Sequence, residues 1–453
     1  MRKLLTIRLG VVAAGLVVLA LAHAALVRDQ QPTTYWDSSA YTEEARQPLA
    51  WAQLYYPKPI LPSLLYRVVG TDPYQIAELH EWLSFAAWAA FGIALVASFR
   101  TRRARIVAGA IAVCLVLDPM RLGYCDDILS ESIDDSLLAL LVAALLGALA
   151  LRGRARTAAW AAAAVVATCW LLARDTNAVV MLVALALVVG WRRRALLGRH
   201  LELAAIAGFA AVSVFVLWST TVRPPPTGLT FQHDWPDDFT ARITYSMMNN
   251  VVDRVLVDPD ALQFFVAHGL PQADALAQLP ERAPIIFDPK YGEARHWIAT
   301  SAKGVWLSYL AHHPIDRLTD QVSHFWQLAG VADEQRSLYS PRRMRGAWRR
   351  VRALMSNHAV VLGLLVLAPL GAWLARRHRL VPPAIAMVIA GWLGSIAALY
   401  GDSAEVARHC YGSGQLVVLG LALVLLCALE SVPFRAHHAG GAAPAGGDPP
   451  VAG

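Results

Sequence analysis

The chain has 453 residues, of which 57% are hydrophobic and only 16% are charged. This composition lies outside the range of soluble globular proteins. The formal net charge of +7 would suggest a nucleic-acid partner for a soluble protein. Here, however, Lys and Arg stand in short clusters at the ends of apolar runs, which argues against nucleic-acid binding. The sequence therefore predicts an all-α, polytopic membrane helix bundle.

Apolar runs predict about ten membrane spans, and several of them are shorter than the roughly 20 residues that a straight span needs. We favour a retained first helix over a cleaved signal peptide, although Ala22-His23-Ala24 weakly resembles a cleavage site. The predicted spans are 9–27, 82–99, 106–119, 136–151, 157–173, 178–191, 201–222, 357–375, 381–400 and 411–429.

The charge pattern predicts that both termini are cytoplasmic. Four joints between spans are rich in Arg and contain no Asp or Glu, as expected for cytoplasmic joints. These joints are Arg100 to Arg105, Arg152 to Arg156, Arg192 to Arg194, and Arg376 to Arg379. The abundance of Ala, Val and Arg suggests a bacterial chain, so we expect the bacterial inner membrane.

Two long segments fall on the extracytoplasmic side of this topology. The chain then divides into an N-terminal membrane module (1–222, including the first outer loop 28–81), a large outer loop (223–356), a C-terminal membrane module (357–435) and a disordered tail (436–453). Within the large loop, the patterns at 297–312 and 315–329 predict two short helices on the membrane surface, separated by His313-Pro314.

The first outer loop carries Asp37 between aromatic residues, from Tyr35 to Tyr41. A carboxylate at the boundary between bilayer and water is partly desolvated, which would suit a general base. The alternative is an interfacial Asp within an ordinary aromatic belt. The residues alone leave both interpretations open.

The second outer joint is strongly acidic, with Asp118, Asp126, Asp127, Glu131, Asp134 and Asp135. Asp127 and Glu131 stand four residues apart and could share a helix face. Carboxylates at this density could bind a divalent cation, for which Asp126 and Asp127 are the candidate ligands. The alternative is a solvated helix start, and we favour it for Asp134 and Asp135.

Two further outer joints contain Arg174 and Arg408. The short joint Arg174-Asp175-Thr176-Asn177 predicts a local Arg–Asp pair, with Asn177 capping the next helix. Arg408, just before the last span, could hold an anionic phosphate, or Asp402 or Glu405 could neutralise it. Cys125 and Cys410 both fall in outer segments, so a disulfide between them is conceivable.

Together these features resemble the GT-C superfamily of membrane glycosyltransferases. The matching residues are Asp37, the Lys58-Pro59-Ile60-Leu61-Pro62 segment before the next helix, the Ile128-Leu129-Ser130-Glu131-Ser132 segment, and Glu405-Val406-Ala407-Arg408-His409. The resemblance covers roughly 30–230 and 385–425. Many members of the superfamily carry paired acids in the first loop, where this chain has Asp37-Ser38.

The resemblance implies a GT-C-like fold and inverting transfer of a sugar from a polyprenyl phosphate donor to an extracytoplasmic glycan or protein acceptor. It also implies that Asp37 is the base and that Arg408 contacts the donor phosphate. Lys58, Glu131, Arg174 and His409 are further candidates for substrate or donor binding. No cofactor is required by these residues, although a divalent cation is conceivable.

Two other classes of protein remain as alternatives. A transporter or flippase usually places ionisable groups near the bilayer midplane, whereas here the acids crowd one surface. A non-catalytic cell-envelope assembly protein would account for the large outer loop but not for the acidic joints.

Overall fold

The structure is a computed structural model that describes residues 2–27, 31–55, 58–196, 200–222, 242–279, 283–323, 358–401 and 406–432. Most of these residues are helical and none lies in a β-strand, which confirms the all-α class. One isolated parallel β-bridge joins Thr33 to Asp127.

The helices of the N-terminal part are α1 (Arg2–Val27), α2 (Trp36–Arg46), α3 (Ile60–Val69), α4 (Pro73–Ser98), α5 (Arg102–Val116), α6 (Pro119–Asp126), α7 (Glu131–Ala150), α8 (Gly153–Leu171), α9 (Thr176–Leu196) and α10 (His200–Ser219). The large loop contains α11 (Arg242–Asn250), α12 (Pro259–Ala267), α13 (Ala273–Ala277), α14 (Ala283–Phe287), α15 (Gly292–Trp297), α16 (Lys303–His312) and α17 (Pro314–Ser323). The C-terminal helices are α18 (His358–Leu374), α19 (Val381–Gly401) and α20 (Val406–Ser431).

Five helical segments of the described chain are long and apolar enough to cross a membrane. They are α4, α5 continued through α6, α7, α19 and the 409–431 part of α20. The other five predicted spans also coincide with helices, but their described apolar stretches are shorter or less apolar. The membrane class is therefore supported, while the count of about ten spans stays a prediction.

The core of the bundle forms around α7, which packs against α4 and α8. Apolar side chains of α4, including Trp88 and Phe91, are fully buried there. A second set of contacts pairs α19 with α20 and α9, and α18 with α20.

Three of the four joints that the charge pattern assigns to the cytoplasm are linked by contacts at one end of the bundle. The backbone N–H of Arg100 donates to Glu430 (2.6 Å), His378 lies 3.3 Å from the same carboxylate, and Arg379 donates to the carbonyl of Leu149 (2.9 Å). The joints assigned to the outside meet at the opposite end, where Leu61 N–H donates to Leu172 O (3.2 Å). The grouping fits the predicted topology, and the orientation in a membrane remains a prediction.

The described part of the large loop, 242–279 and 283–323, forms a helical lobe with its own apolar core. The lobe docks on the outer end of α19, where Trp306 donates to Tyr400 O (2.9 Å) and Asn250 donates to Gly401 O (3.0 Å). The predicted break at His313-Pro314 falls between α16 and α17. Trp306 and Tyr309 of α16 are buried in the lobe core. Residues 324–329 and the tail 436–453 lie outside the described residues.

Candidate functional site

Asp37 lies in the first turn of α2, where its carboxylate accepts a hydrogen bond from the Lys58 ammonium at 2.6 Å. Each of these side chains is 22% exposed, so the pair is reachable from solvent. Lys58 comes just before Pro59, which opens α3 as its N-cap. The ion pair therefore joins the starts of two short helices and fixes the position of the carboxylate.

Hydrogen bonds hold the start of α2 against the second outer joint. The Ser38 hydroxyl donates to Ile128 O (2.7 Å), and the Tyr35 hydroxyl donates to Asp127 (3.1 Å). At the β-bridge, Thr33 N–H donates to Asp126 O (2.8 Å). These bonds span some ninety positions of sequence and place Asp37 next to the beginning of α7.

Glu131, the first residue of α7, forms an ion pair with Arg174 from the α8–α9 joint (3.3 Å). The guanidinium also donates to Nδ1 of His409 on α20 at 2.9 Å. Because arginine can only donate, the His409 ring proton must sit on Nε2. Arg174 and Glu131 are nearly buried, with 8% and 3% of their side chains exposed. One arginine thus links α7, the α8–α9 joint and α20.

Tyr41 connects the Asp37–Lys58 pair to this arginine cluster. Its ring is buried, one helical turn after Asp37. Burial raises the pKa of Tyr41, and the carboxylates of Asp37 and Glu131 raise it further, while the Ser130 hydrogen bond and Arg174 act in the opposite sense. The phenol therefore keeps its proton at neutral pH and remains a hydrogen-bond donor under the influence of both carboxylates.

A second layer of polar contacts lies beneath the cluster. The Asn177 amide donates to Asp134 and to Trp170 O, both at 2.7 Å. A side chain at Gly412 would collide with the Asp134 carboxylate, so glycine lets α20 approach α7 here. These contacts fix α20, and hence His409, against the start of α7.

The acidic joint differs from its sequence interpretation in two respects. Asp127 lies in the β-bridge outside α7, so Asp127 and Glu131 do not share a helix face. Asp134 and Asp135 are only 2% and 1% exposed, so this is not a solvated helix start. A hydrogen bond from Asn177 compensates the burial of Asp134, and an ion pair with Arg121 compensates the burial of Asp135.

The side chains of the predicted metal ligands, Asp126 and Asp127, have different surroundings. Asp127 accepts from Tyr35, whereas Asp126 lines a cavity beside α1 and α4. Among the described residues, no group of three His, Cys, Asp or Glu side chains could hold a metal ion. The described acids therefore offer no ligand set for a divalent cation.

Three other sequence predictions have definite outcomes. Arg174 reaches across the bundle to Glu131 and His409 rather than serving only a local pair, and Asn177 lies inside α9 instead of capping it. Cys125 and Cys410 are both free and buried. Their sulfurs contact Ser132 and Ser395 O respectively, so no disulfide forms. The Arg408 side chain lies outside the described residues.

The structure thus brings together Asp37, Lys58, Glu131, Arg174 and His409, which come from four separate outer segments. It separates Asp126 from them. Sequence reasoning missed Tyr41 as a site residue, although its spacing of four from Asp37 was a usable signal. Ser38 also escaped notice, because its partner Ile128 lies ninety positions away.

Comparisons with protein-family models, curated proteins and solved structures found no match.

Proposed function

We propose that this chain is an inverting membrane glycosyltransferase, which moves a sugar from a polyprenyl phosphate donor to an extracytoplasmic acceptor. The observation that supports this function is the meeting of five polar residues at one end of an apolar helix bundle. An enzyme acting on a lipid-linked donor needs such a polar site beside the bilayer surface. The sequence resemblance to the GT-C superfamily points to the same chemistry.

In the proposed reaction, the Asp37 carboxylate accepts the proton of the acceptor hydroxyl. The acceptor oxygen forms a bond to the anomeric carbon of the sugar while the bond from that carbon to the phosphate oxygen breaks. The electron pair leaves with the polyprenyl phosphate. A single displacement with one base inverts the anomeric carbon.

The leaving phosphate gains negative charge in this step, and nearby cations would stabilise it. The Lys58 ammonium is already 2.6 Å from Asp37. Arg174 belongs to the neighbouring cluster with Glu131 and His409, and its planar fork suits bidentate contact with an oxyanion. We assign Arg408, just before His409, to the same donor-phosphate role on the basis of the sequence alone.

The test is the substitution Asp37→Asn in membranes supplied with labelled polyprenyl-phosphate sugars. A positioned general base contributes about 10²- to 10⁴-fold, so we expect transfer of label to the acceptor fraction to fall at least 100-fold. The matched control is Glu43→Gln on the same helix, which should transfer at the wild-type rate. Wild-type transfer by Asp37→Asn at equal expression would overturn the role of Asp37.

A further inference from the structure

The Asp37–Lys58 ion pair brings the proposed base into direct contact with a cation proposed to stabilise the leaving phosphate. The ammonium lies 2.6 Å from the carboxylate, and each side chain is 22% exposed. A carboxylate that accepts a hydrogen bond from an ammonium is a weaker base than one that does not, because the cation stabilises its charged form. The contact therefore opposes the uptake of a proton by Asp37.

The proposed reaction moves negative charge away from this pair. Asp37 loses its charge as it accepts the proton of the acceptor hydroxyl, and the leaving phosphate gains charge. A cation that stays on the carboxylate stabilises the reactants more than the transition state, which slows the reaction. A cation that follows the charge to the phosphate stabilises the transition state. Lys58 therefore assists the reaction only if it leaves Asp37.

The two members of the pair are held differently. Asp37 is the only hydrogen-bond partner of the Lys58 ammonium among the described residues. Because an ammonium has three N–H groups, the others are available to a phosphate oxygen. Asp37 lies in the first turn of α2, where the helix N-terminus stabilises a negative charge. The carboxylate therefore keeps part of its stabilisation when the ammonium moves away.

The backbone around the pair is fixed, so an exchange of partners requires only the lysine side chain to move. The Ser63 hydroxyl of α3 donates to the buried Glu44 carboxylate of α2 at 2.6 Å, and Leu61 N–H donates to Leu172 O at 3.2 Å. These bonds hold α3 against α2 and against the α8–α9 joint. The lysine ammonium stands at the end of a flexible four-carbon stem, which changes direction by bond rotation while both helices stay in place.

We propose that Lys58 exchanges partners during the reaction cycle: its ammonium leaves Asp37 for the donor phosphate, so that Asp37 becomes an effective base only after the donor has bound. This inference rests on the proposed glycosyltransferase function and adds an order of events to it. The donor phosphate is the ligand that activates the site, and the acceptor hydroxyl loses its proton only in its presence.

Carbodiimide coupling of the purified full-length chain in detergent, with glycinamide in solution, tests this exchange. An activated Asp37 carboxyl forms an amide either with Lys58 or with glycinamide, and mass spectrometry of tryptic peptides separates the two products. Farnesyl phosphate is the probe, and farnesol is its neutral analogue. We expect farnesyl phosphate to lower the yield of the Lys58–Asp37 amide at least tenfold and to raise the yield of the glycinamide product. A probe that only blocked access to Asp37 would lower both yields.

A charge-removing variant isolates the role of the ammonium. In Lys58→Gln, the yield of the glycinamide product at Asp37 should match that of wild type with farnesyl phosphate, and it should not respond to the probe. The matched control is Glu43→Gln on the same helix as Asp37, which should respond to the probe like wild type. Thermal unfolding shows that both variants are folded.

Three results would overturn the exchange: no Lys58–Asp37 amide in the folded wild-type chain, no response of the two yields to farnesyl phosphate, or an equal response to farnesol. None of these measurements depends on sugar transfer. A chain that shows the exchange but transfers no sugar in membranes would contradict the proposed function alone. A chain that transfers sugar without the exchange would contradict this inference alone.

Discussion

Arg121 and Asp135 form a buried ion pair deep beside the candidate site. The guanidinium donates to the Asp135 carboxylate at 2.7 Å, and the Trp88 indole N–H donates to the same oxygen at 2.8 Å. The guanidinium also lies 3.5 Å from the centre of the Trp88 ring. Both charged residues are only 1% exposed. Their attraction must therefore offset the desolvation of two full charges.

Asp135→Asn tests how strongly this pair matters for stability. Breaking a buried pair leaves an uncompensated charge and destabilises a protein by about 3–5 kcal/mol. We expect a clear fall in the thermal unfolding midpoint of the detergent-solubilised chain. Asp274→Asn, at an exposed position of the lobe, removes the same charge and should shift the midpoint little. Equal midpoints for the two variants would mean that Arg121 finds another partner.

At the residue level, the sequence pointed to Asp37, Lys58, Glu131, Arg174 and His409 as candidate site residues, but not to the pairs that they form. Asp37 stood out because it lies among aromatic residues shortly after an apolar span. The partners of Asp134 and Asp135 could not be foreseen, since Asn177 and Trp88 lie 43 and 47 positions away. Helix capping and helix-face spacing predict contacts between residues that are close in sequence. They could not predict this site, because most of its contacts join distant segments.

Glycines control how closely α19 and α20 approach each other. A Cβ at Gly420 would lie 2.7 Å from Ala384 O and from Val388 Cγ2, and one at Gly391 would lie 2.6 Å from Ser413 O. Small residues at helix contacts allow backbones to pack closely, which drives association inside membranes. The same close approach brings the outer end of α20, with His409, to Arg174.

Gly420→Ala should therefore separate the two helices. Forcing an extra carbon into a packed contact costs about 1–3 kcal/mol, which we expect as a lower unfolding midpoint in detergent. The control is Gly208→Ala on α10, where a Cβ meets nothing within 4 Å. Because Ala favours helix over Gly by about 1 kcal/mol, Gly208→Ala should leave the midpoint unchanged or raise it. A neutral Gly420→Ala would show that the contact relaxes freely.

Helix positions followed well from hydropathy, but helix ends did not. The predicted span 82–99 corresponds to α4, which begins nine residues earlier at Pro73, with Asp72 as its N-cap. The added turns are polar and so escape a hydropathy window, although the Asp-Pro pair is a helix-start signal. Those turns carry Tyr74, Glu78 and Glu81, which line the cavity that Asp126 also lines.

For the whole molecule, the separation of charged joints into two ends gives a directional prediction. The end that holds Arg100, Arg379 and Glu430 should face the cytoplasm, because basic joints are retained there. The end that holds Asp37 and Arg174 should then face outward. The alternation of apolar runs and joints predicted that the joints would lie at two ends of the bundle. No pattern in the sequence predicted that the lobe would dock on Tyr400.

Single cysteines can test this orientation in a background where the five native cysteines are replaced by alanine. Leu49 is exposed near the predicted outer end of the bundle, and Ala155 is exposed near the predicted inner end. The two test variants are Leu49→Cys and Ala155→Cys. In intact spheroplasts, a membrane-impermeant maleimide should label the Leu49→Cys chain and spare the Ala155→Cys chain until the membrane is opened. The reverse pattern would invert the topology.

The β-bridge between Thr33 and Asp127 has a consequence for how this chain can vary. Asp127 lies in the bridge and its carboxylate contacts Tyr35 beside the Asp37 site, whereas Asp126, one residue earlier, lines the cavity beside α1 and α4. Deleting or adding one residue between α6 and α7 would shift the register, so that the two carboxylates could no longer both keep their present positions. A substitution at Asp126 or Asp127 changes either the cavity or the Asp37 site, whereas a change in the length of this joint disturbs both. In this joint, the number of residues is therefore under a stricter constraint than the identity of most of them.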